Sequence, residues 1–151
     1  MGTVANSTII SSTLTEVRDV LRSNITDPRS SRTISNWIFT AWPGKEVEYP
    51  VIVLRHVGTR DEWMAIGTVN KIVKINVQFD VFARSAKERD TLWDEIYNDL
   101  VTNYKTTSVV DLNLHGLDLV SCFDSDDLVP KEMGNIHRKT GEFQFTYYRV
   151  S

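Results

Sequence analysis

A stretch of about a dozen residues, VNKIVKINVQFDV (69–81), alternates apolar and polar side chains, with exceptions at Lys71 and Ile72. Successive side chains of a strand point to opposite faces, so the pattern predicts one buried and one exposed face. Such a strand is typical of an antiparallel sheet. It is roughly twice the mean strand length and could extend beyond the core as a hairpin arm. We predict that the core face carries Val73, Ile75, Val77, Phe79 and Val81, and the other face Lys74, Asn76, Gln78 and Asp80.

Two segments have the spacing of amphipathic helices. In TLTEVRDVLRSNI (13–25), apolar residues recur at helical spacing, and Thr13 with Glu16 has the spacing of a capping box. This predicts a helix that begins near Thr13. A second capping box, Ser85 with Glu88, precedes the apolar stripe of a central helix.

The remaining segments favour strands. VIVLRHV (51–57) is almost continuously apolar, which predicts a central strand covered on both faces, and IHRKTGEFQFTYYRV (136–150) predicts a closing strand with Phe143, Phe145 and Tyr147 alternating. The order of helix, strands, helix and strands predicts an α+β fold. Its sheet is mainly antiparallel, and the N-terminal and central helices pack on one face. We expect residues 1–11 to be a flexible N-terminal arm and residues 12–151 a single α+β domain.

The charge and composition exclude several partner classes. Among 151 residues, 25% are charged and the net charge is −3, which gives no electrostatic basis for gripping nucleic acid or an anionic membrane. No run of about 18 apolar residues is present, so we expect no membrane span. The first residues lack a basic segment followed by an apolar run, which indicates an intracellular protein. Cys122 is the single cysteine, so neither an intramolecular disulfide nor a cysteine zinc site is expected.

No motif for catalysis emerges. His56, His115 and His137 are scattered, and the sequence has no nucleophile elbow, P-loop or dinucleotide fingerprint. The acidic stretch DSDDLVPKEMGN (124–135) begins like a calcium loop, but it lacks the central glycine and the final carboxylate, so a solvated polar loop is predicted. We therefore predict no catalytic, metal or cofactor-binding residues, and a protein that is not an enzyme.

The closing segment has a second interpretation as an RNA-binding strand. Such strands carry a basic residue, a glycine and alternate aromatics that stack on bases, which Lys139, Gly141, Phe143, Phe145 and Tyr148 match loosely. The acidic balance argues against this role. Alternating aromatics on a strand are more often core residues.

The segment GTRDEWMAIG (58–67) is predicted to be a loop between paired strands, although such loops usually have about 2–5 residues. It carries Trp63, Met64 and Ile66, with Arg60 and Asp61 close by. The loop either folds back over the core, the commoner fate of a lone tryptophan, or reaches a neighbouring molecule. Trp, Met and Arg are enriched at interfaces, so these five residues are the candidate interface.

The order of elements, together with VKINVQFDVFARSAKERDTLWDEIYNDL (73–100), resembles the small tail-completion proteins of long-tailed bacteriophages. That group includes tail terminators and head–tail joining proteins. Its members have an N-terminal helix, a core hairpin with an alternating second strand, and a helix start of the form A-R-S-x-x-E. Their closing strand has the form R-x-x-G-x-F-x-F-x-Y, matched here by Arg138, Gly141, Phe143, Phe145 and Tyr147. The resemblance covers residues 12–150.

The resemblance implies a structural role in a virion. Such proteins form rings, commonly hexamers, at the head-proximal end of the tail tube, where they stop tube polymerisation and join tail to head. We therefore expect a tail terminator made in the host cytoplasm and located in the tail or neck. The implied partners are copies of itself, the tail tube protein and the head connector, with no sequence-specific nucleic acid, membrane or cofactor. The alternatives are another neck or minor tail protein, or a small cytoplasmic RNA-binding module.

Overall fold

The computed structural model describes residues 3–33, 36–44, 47–64, 70–102, 116–128 and 136–149. A short 3-10 helix, Asn6–Thr8, leads into the first of two α-helices, and a π-helical turn, Asn98–Thr102, follows the second. The elements in chain order are α1 (Ile9–Asn24), β1 (Ile38–Phe39), β2 (Val51–Trp63), β3 (Lys71–Ala83), α2 (Ala86–Tyr97), β4 (Asp118–Leu128) and β5 (His137–Arg149).

The five strands form one sheet in the order β1-β2-β3-β5-β4. The two-residue β1 runs parallel to β2, and every other pair is antiparallel. Helix α1 packs on β1 and β2, and α2 packs on β3 and β5. Both helices contribute to one core with the same face of the sheet. The predicted α+β fold, with a mainly antiparallel sheet and helices on one face, is confirmed.

Strand β3 follows its predicted alternation. All five residues predicted to face the core are buried, namely Val73, Ile75, Val77, Phe79 and Val81. Asp80 lies on the opposite face but is only 9% exposed, because Arg138 covers it and donates a hydrogen bond of 3.0 Å to its carboxylate. The strand extends beyond the core, but not as a two-stranded hairpin arm, because β5 also pairs with β3 as far as Lys71↔Arg149.

Helix α1 begins earlier than its sequence predicts. Its first residue is Ile9, and Thr13 lies buried inside the helix, with a hydroxyl that has no hydrogen-bond partner. The capping box predicted at Thr13 and Glu16 is therefore wrong. The first turn of α1 falls within residues 1–11, and Val4 is buried against the core. The mobility of that segment stays a prediction.

The second capping box is present in altered form. The Ser85 hydroxyl accepts a hydrogen bond of 3.1 Å from the backbone N–H of Glu88. The Glu88 carboxylate accepts one of 3.0 Å from the N–H of Arg84, one residue before the position that a capping box uses. Arg84 also donates to that carboxylate from its guanidinium group. The start of α2 is therefore fixed by two side chains, as predicted.

The aromatics of β5 belong to the core. Phe143 and Phe145 are fully buried, and the Phe143 ring centre lies 4.7 Å from that of Phe79 and 5.6 Å from that of Trp93. Bases cannot stack on buried rings, so the pattern that suggested RNA binding is explained by packing. Tyr148 is exposed, but it lies on the other face of the strand.

Candidate functional site

The segment predicted as a loop is mostly strand. Strand β2 continues to Trp63, which pairs with Lys71 of β3, and the N–H of Met64 donates a hydrogen bond of 3.1 Å to the carbonyl of Asn70. The prediction of a ten-residue loop is therefore wrong. The residues that join the two strands, Ile66 among them, lie outside the described residues. The sequence carries no alternation here because neither face of this part of β2 is covered.

The structure brings four of the five candidate interface residues together at one end of the sheet. We call this the distal end and define it as residues 58–64, residues 70–74 and Arg149. Trp63 is 62% exposed and Met64 48% exposed, so the predicted folding of Trp63 over the core is wrong. Helices α1 and α2 are about 24 and 18 Å long, against about 43 Å for β2. The helix layer is too short to cover the whole sheet.

Charged side chains hold the Trp63 ring in place. The Lys71 ammonium nitrogen lies 4.3 Å from the ring centre and 2.9 Å from a carboxylate oxygen of Asp61. The hydrogen bond and charge of Lys71 hold the pKa of Asp61 below its ordinary value, and Arg149 adds to this. Asp61 therefore stays ionised. A cation over an aromatic face restricts the ring at a partly exposed site.

A second ion pair lies on the opposite face of β2. Arg60 donates to the Glu62 carboxylate, and that hydrogen bond lowers the pKa of Glu62, helped by the charge of Lys74. Both side chains are well exposed, and such pairs contribute little to folding stability. The distal end thus presents an aromatic ring among ionised, paired groups, which suits recognition of a surface.

Lys71 was missed by the sequence prediction, although one signal marked it. Lys71 breaks the alternation of β3 on what is otherwise its core face. The break indicates that the core does not extend this far along the sheet. If the break is taken as the end of the core, the sequence places Lys71 beside the candidate interface.

The face of the sheet opposite the helices carries a network of polar side chains. Arg55 donates to the amide oxygen of Gln78 at 2.8 Å, and the Gln78 amide nitrogen lies 3.3 Å from both carboxylate oxygens of Asp80. Arg138 completes the chain at Asp80, and its guanidinium group also lies over the Phe82 ring, 5.3 Å from its centre. These contacts link three strands through their side chains. They give this face a fixed polar surface.

Other potential sites in the described part of the chain are sparse. No group of three or more metal-binding side chains occurs there, and none of its helices is long and apolar enough to cross a membrane. The Nε2 atom of His56 lies 2.6 Å from the Thr59 hydroxyl, His137 lies in β5, and His115 is outside the described residues. The first five residues of the segment predicted as a polar loop belong to β4, which corrects that prediction. Two grooves of about 280 and 290 Å³ flank α2, and Glu95 lines both. Burial there raises the pKa of Glu95.

Comparison with known proteins gives one structural relationship. No protein-family model matches the sequence, and no curated protein matches it. Among solved structures, the fold is similar to that of a chain in the virion of a native gene transfer agent (GTA) particle, with a TM-score of 0.62 and 13% sequence identity. The match covers 90% of this chain and 94% of the other. The two chains therefore share a fold over nearly their whole lengths.

Proposed function

We propose that this chain is a structural protein of the virion of a tailed phage or a related particle. The observation that carries this proposal is the likeness of its fold, over nearly the whole chain, to a chain of the GTA virion. The sequence pattern of residues 73–100 and of β5 resembles the tail-completion proteins and supports the same class. The virion is then the place where the protein acts.

Within this class, the proposed role is that of a tail terminator. The protein would form a ring of identical copies, with six as the expected number, at the head-proximal end of the tail tube. It would contact the tube protein on one side and the head connector on the other. Exposed apolar residues such as Trp63 and Met64 support contact with neighbours, because such patches mark interaction sites. The sheet, with β3 paired on both sides, would provide a rigid support.

The proposed role needs no catalysis. The acidic groups of the distal end are held ionised by basic partners, so they are poorly suited to proton transfer at neutral pH. His56 and His137 lie on different strands with β3 between them. A structural role, a non-enzymatic function and the absence of a cofactor are consistent parts of one proposal.

Deletion of the gene tests the proposal, with complementation by the wild-type gene as the control. Electron microscopy of the lysate then reports whether tails join heads and how long the tails are. A tail terminator predicts unjoined heads together with tails of excessive length. Unjoined heads with tails of normal length would instead assign the protein to another position in the neck. Infectious particles of normal appearance without the protein would contradict the virion role.

A further inference from the structure

The segment that precedes helix α1, residues 3–8, is docked on the core through one buried side chain. We call this segment the strap. Val4 is 6% exposed and belongs to the core, whereas the other five residues of the strap are exposed. The segment expected to be a flexible arm therefore contains a docked part that lies on the surface.

Val4 lies where a turn meets the end of a strand. Gly116 has a φ of 91°, in the left-handed region that favours glycine. A Cβ atom at Gly116 would lie 3.9 Å from the Cβ of Val4 and 3.8 Å from a ring carbon of Tyr147. Tyr147 packs against the core from β5, and its hydroxyl donates a hydrogen bond of 2.6 Å to the side-chain oxygen of Asn6. The strap, the turn and the end of β5 therefore contact one another.

The other contacts of the strap lie at exposed positions. The backbone N–H of Ala5 donates to the Ser12 hydroxyl at 3.2 Å, and the N–H of Thr8 donates to the carbonyl of Ala5 at 3.1 Å. Thr8 is the N-cap residue of α1 but makes no side-chain cap bond, so no cap resists a change of chain direction there. Water replaces exposed hydrogen bonds when they break, and the entropy regained by six residues opposes the burial of one valine.

We propose that the strap opens and closes while the rest of the domain stays folded, and that the closed strap fixes the end of β5. This inference goes beyond the proposed virion role and does not depend on it. Segments with few buried contacts open locally at a lower free energy than the whole domain. The flexible arm expected from the sequence and the docked Val4 are then two states of the same segment.

The strap closes next to the distal end of the sheet. Tyr147 pairs with Val73, and Arg149, two residues further along β5, pairs with Lys71. Residues two apart on a strand lie on the same face, about 7 Å from each other. Closure of the strap therefore orders the part of β5 that borders Trp63 and the rest of the candidate interface.

The reactivity of a cysteine at position 4 measures the opening of the strap. Val4→Cys is made together with Cys122→Ser, so that the new thiol is the only one in the chain. Its rate of labelling by a maleimide is measured without denaturant, and circular dichroism checks that the variant is folded. In the same background, Thr3→Cys is the exposed reference and Val17→Cys, at a fully buried position of α1, is the core reference.

Val4→Cys is expected to react at least about tenfold more slowly than Thr3→Cys and at least about tenfold faster than Val17→Cys. A rate equal to that of Thr3→Cys would show that the strap is not docked. A rate equal to that of Val17→Cys would show that the strap opens only when the whole domain unfolds. Either result would overturn the proposal.

Removing the Tyr147 hydroxyl tests the link between the strap and β5. Tyr147→Phe, added to the Val4→Cys variant, should raise the labelling rate about two- to tenfold, because the bond to Asn6 holds the strap closed. The matched control is Tyr148→Phe, which changes the other face of the same strand and should leave the rate as it was. Equal rates for the two variants would contradict the link.

Hydrogen exchange tests the same link from the side of the strand. Val4→Ala should speed the amide exchange of residues 145–149 and leave that of α2 unchanged, whereas Ser7→Ala, at an exposed position of the strap, should affect neither. Wild-type exchange of residues 145–149 in the Val4→Ala variant would show that the strap does not fix the end of β5. The virion role would still stand, because the deletion phenotype decides it separately.

Discussion

Lys71 and Trp63 are direct neighbours across the β2–β3 ladder, and the Lys71 ammonium group lies over the Trp63 ring, 4.3 Å from its centre. The ring is exposed, yet the cation above it limits the orientations that it can adopt. An anchor that is ordered before binding loses less conformational entropy when a partner arrives. The pair therefore gives the distal end of the sheet the character of a binding surface.

Trp63→Ala is expected to weaken assembly while leaving the monomer as stable as the wild type, within about 0.5 kcal/mol, because the side chain is largely exposed. Thermal unfolding measures stability, and incorporation into tails measures assembly. The matched control is Trp93→Ala in the core, which should cost about 3–5 kcal/mol. A loss of that size at Trp63 would place the residue in the core instead.

Val77→Asp and Gln78→Asp should differ sharply, although the residues are adjacent. Val77 is fully buried between the helices and the sheet, so a carboxylate there should unfold the domain or make it insoluble. Gln78 points to the polar face, and its replacement should cost about 1 kcal/mol through the lost contact with Asp80. Urea unfolding distinguishes the two. Equal damage would mean that a further element covers the polar face.

The Asp80–Arg138 contact should be energetically coupled. The side chains are 13% and 33% exposed and lie on neighbouring strands. In a double-mutant cycle of Asp80→Asn and Arg138→Met, the coupling free energy should be about 0.5–3 kcal/mol. The methionine keeps an apolar stem against Phe82. Additive effects of the two changes would show that the contact contributes nothing beyond its separate parts.

Two glutamates of α2 should give opposite pH effects. Burial by itself would raise the pKa of Glu88, but hydrogen bonds from Arg84 outweigh it and lower the pKa. Glu88 therefore stabilises the fold above the carboxyl's unfolded pKa, and this contribution is lost as the pH falls through the lowered folded value. Burial raises the pKa of Glu95, so ionised Glu95 destabilises the fold once the pH exceeds that raised value.

The midpoints of urea unfolding, measured at about pH 7 and about pH 3, test the effects predicted for Glu88 and Glu95. Glu88→Gln should lower the midpoint at the higher pH, whereas Glu95→Gln should raise it. Both differences should shrink in acid, where the glutamates become protonated. A midpoint that falls for both variants at the higher pH would contradict the assignment for Glu95.

Replacing His56 or His137 by Gln is expected to leave particle assembly and infectivity at wild-type levels, because neither imidazole has a proposed chemical role. Complementation of the deletion strain provides the measurement. The variants must also melt as the wild type does. A stably folded histidine variant that fails to complement would reopen the possibility of an enzymatic function.

The elements that the sequence predicted well are those with one face in the core. The alternation of β3 and β5 and the apolar stripe of α2 record burial directly, since the positions that face the core are apolar. The capping contacts of Ser85 and Glu88 are local and could be read from spacing. Thr13 was misleading because a hydroxyl inside a helix has the same spacing to Glu16 as one at its start. Val4, which precedes α1, is buried against the core. This is a tertiary contact, and residue spacing along the sequence does not show it.

By itself, the sequence determined the α+β class, the core face of β3 and the resemblance to tail-completion proteins, because these depend on periodicity along the chain. The tertiary structure alone decided that GTRDEW is strand and that Trp63 is exposed. A strand pairs through its backbone with another segment of the chain. Where neither face of the sheet is covered, this pairing requires no apolar side chains, so the sequence shows no alternation. The candidate assembly surface lies in that part of the molecule.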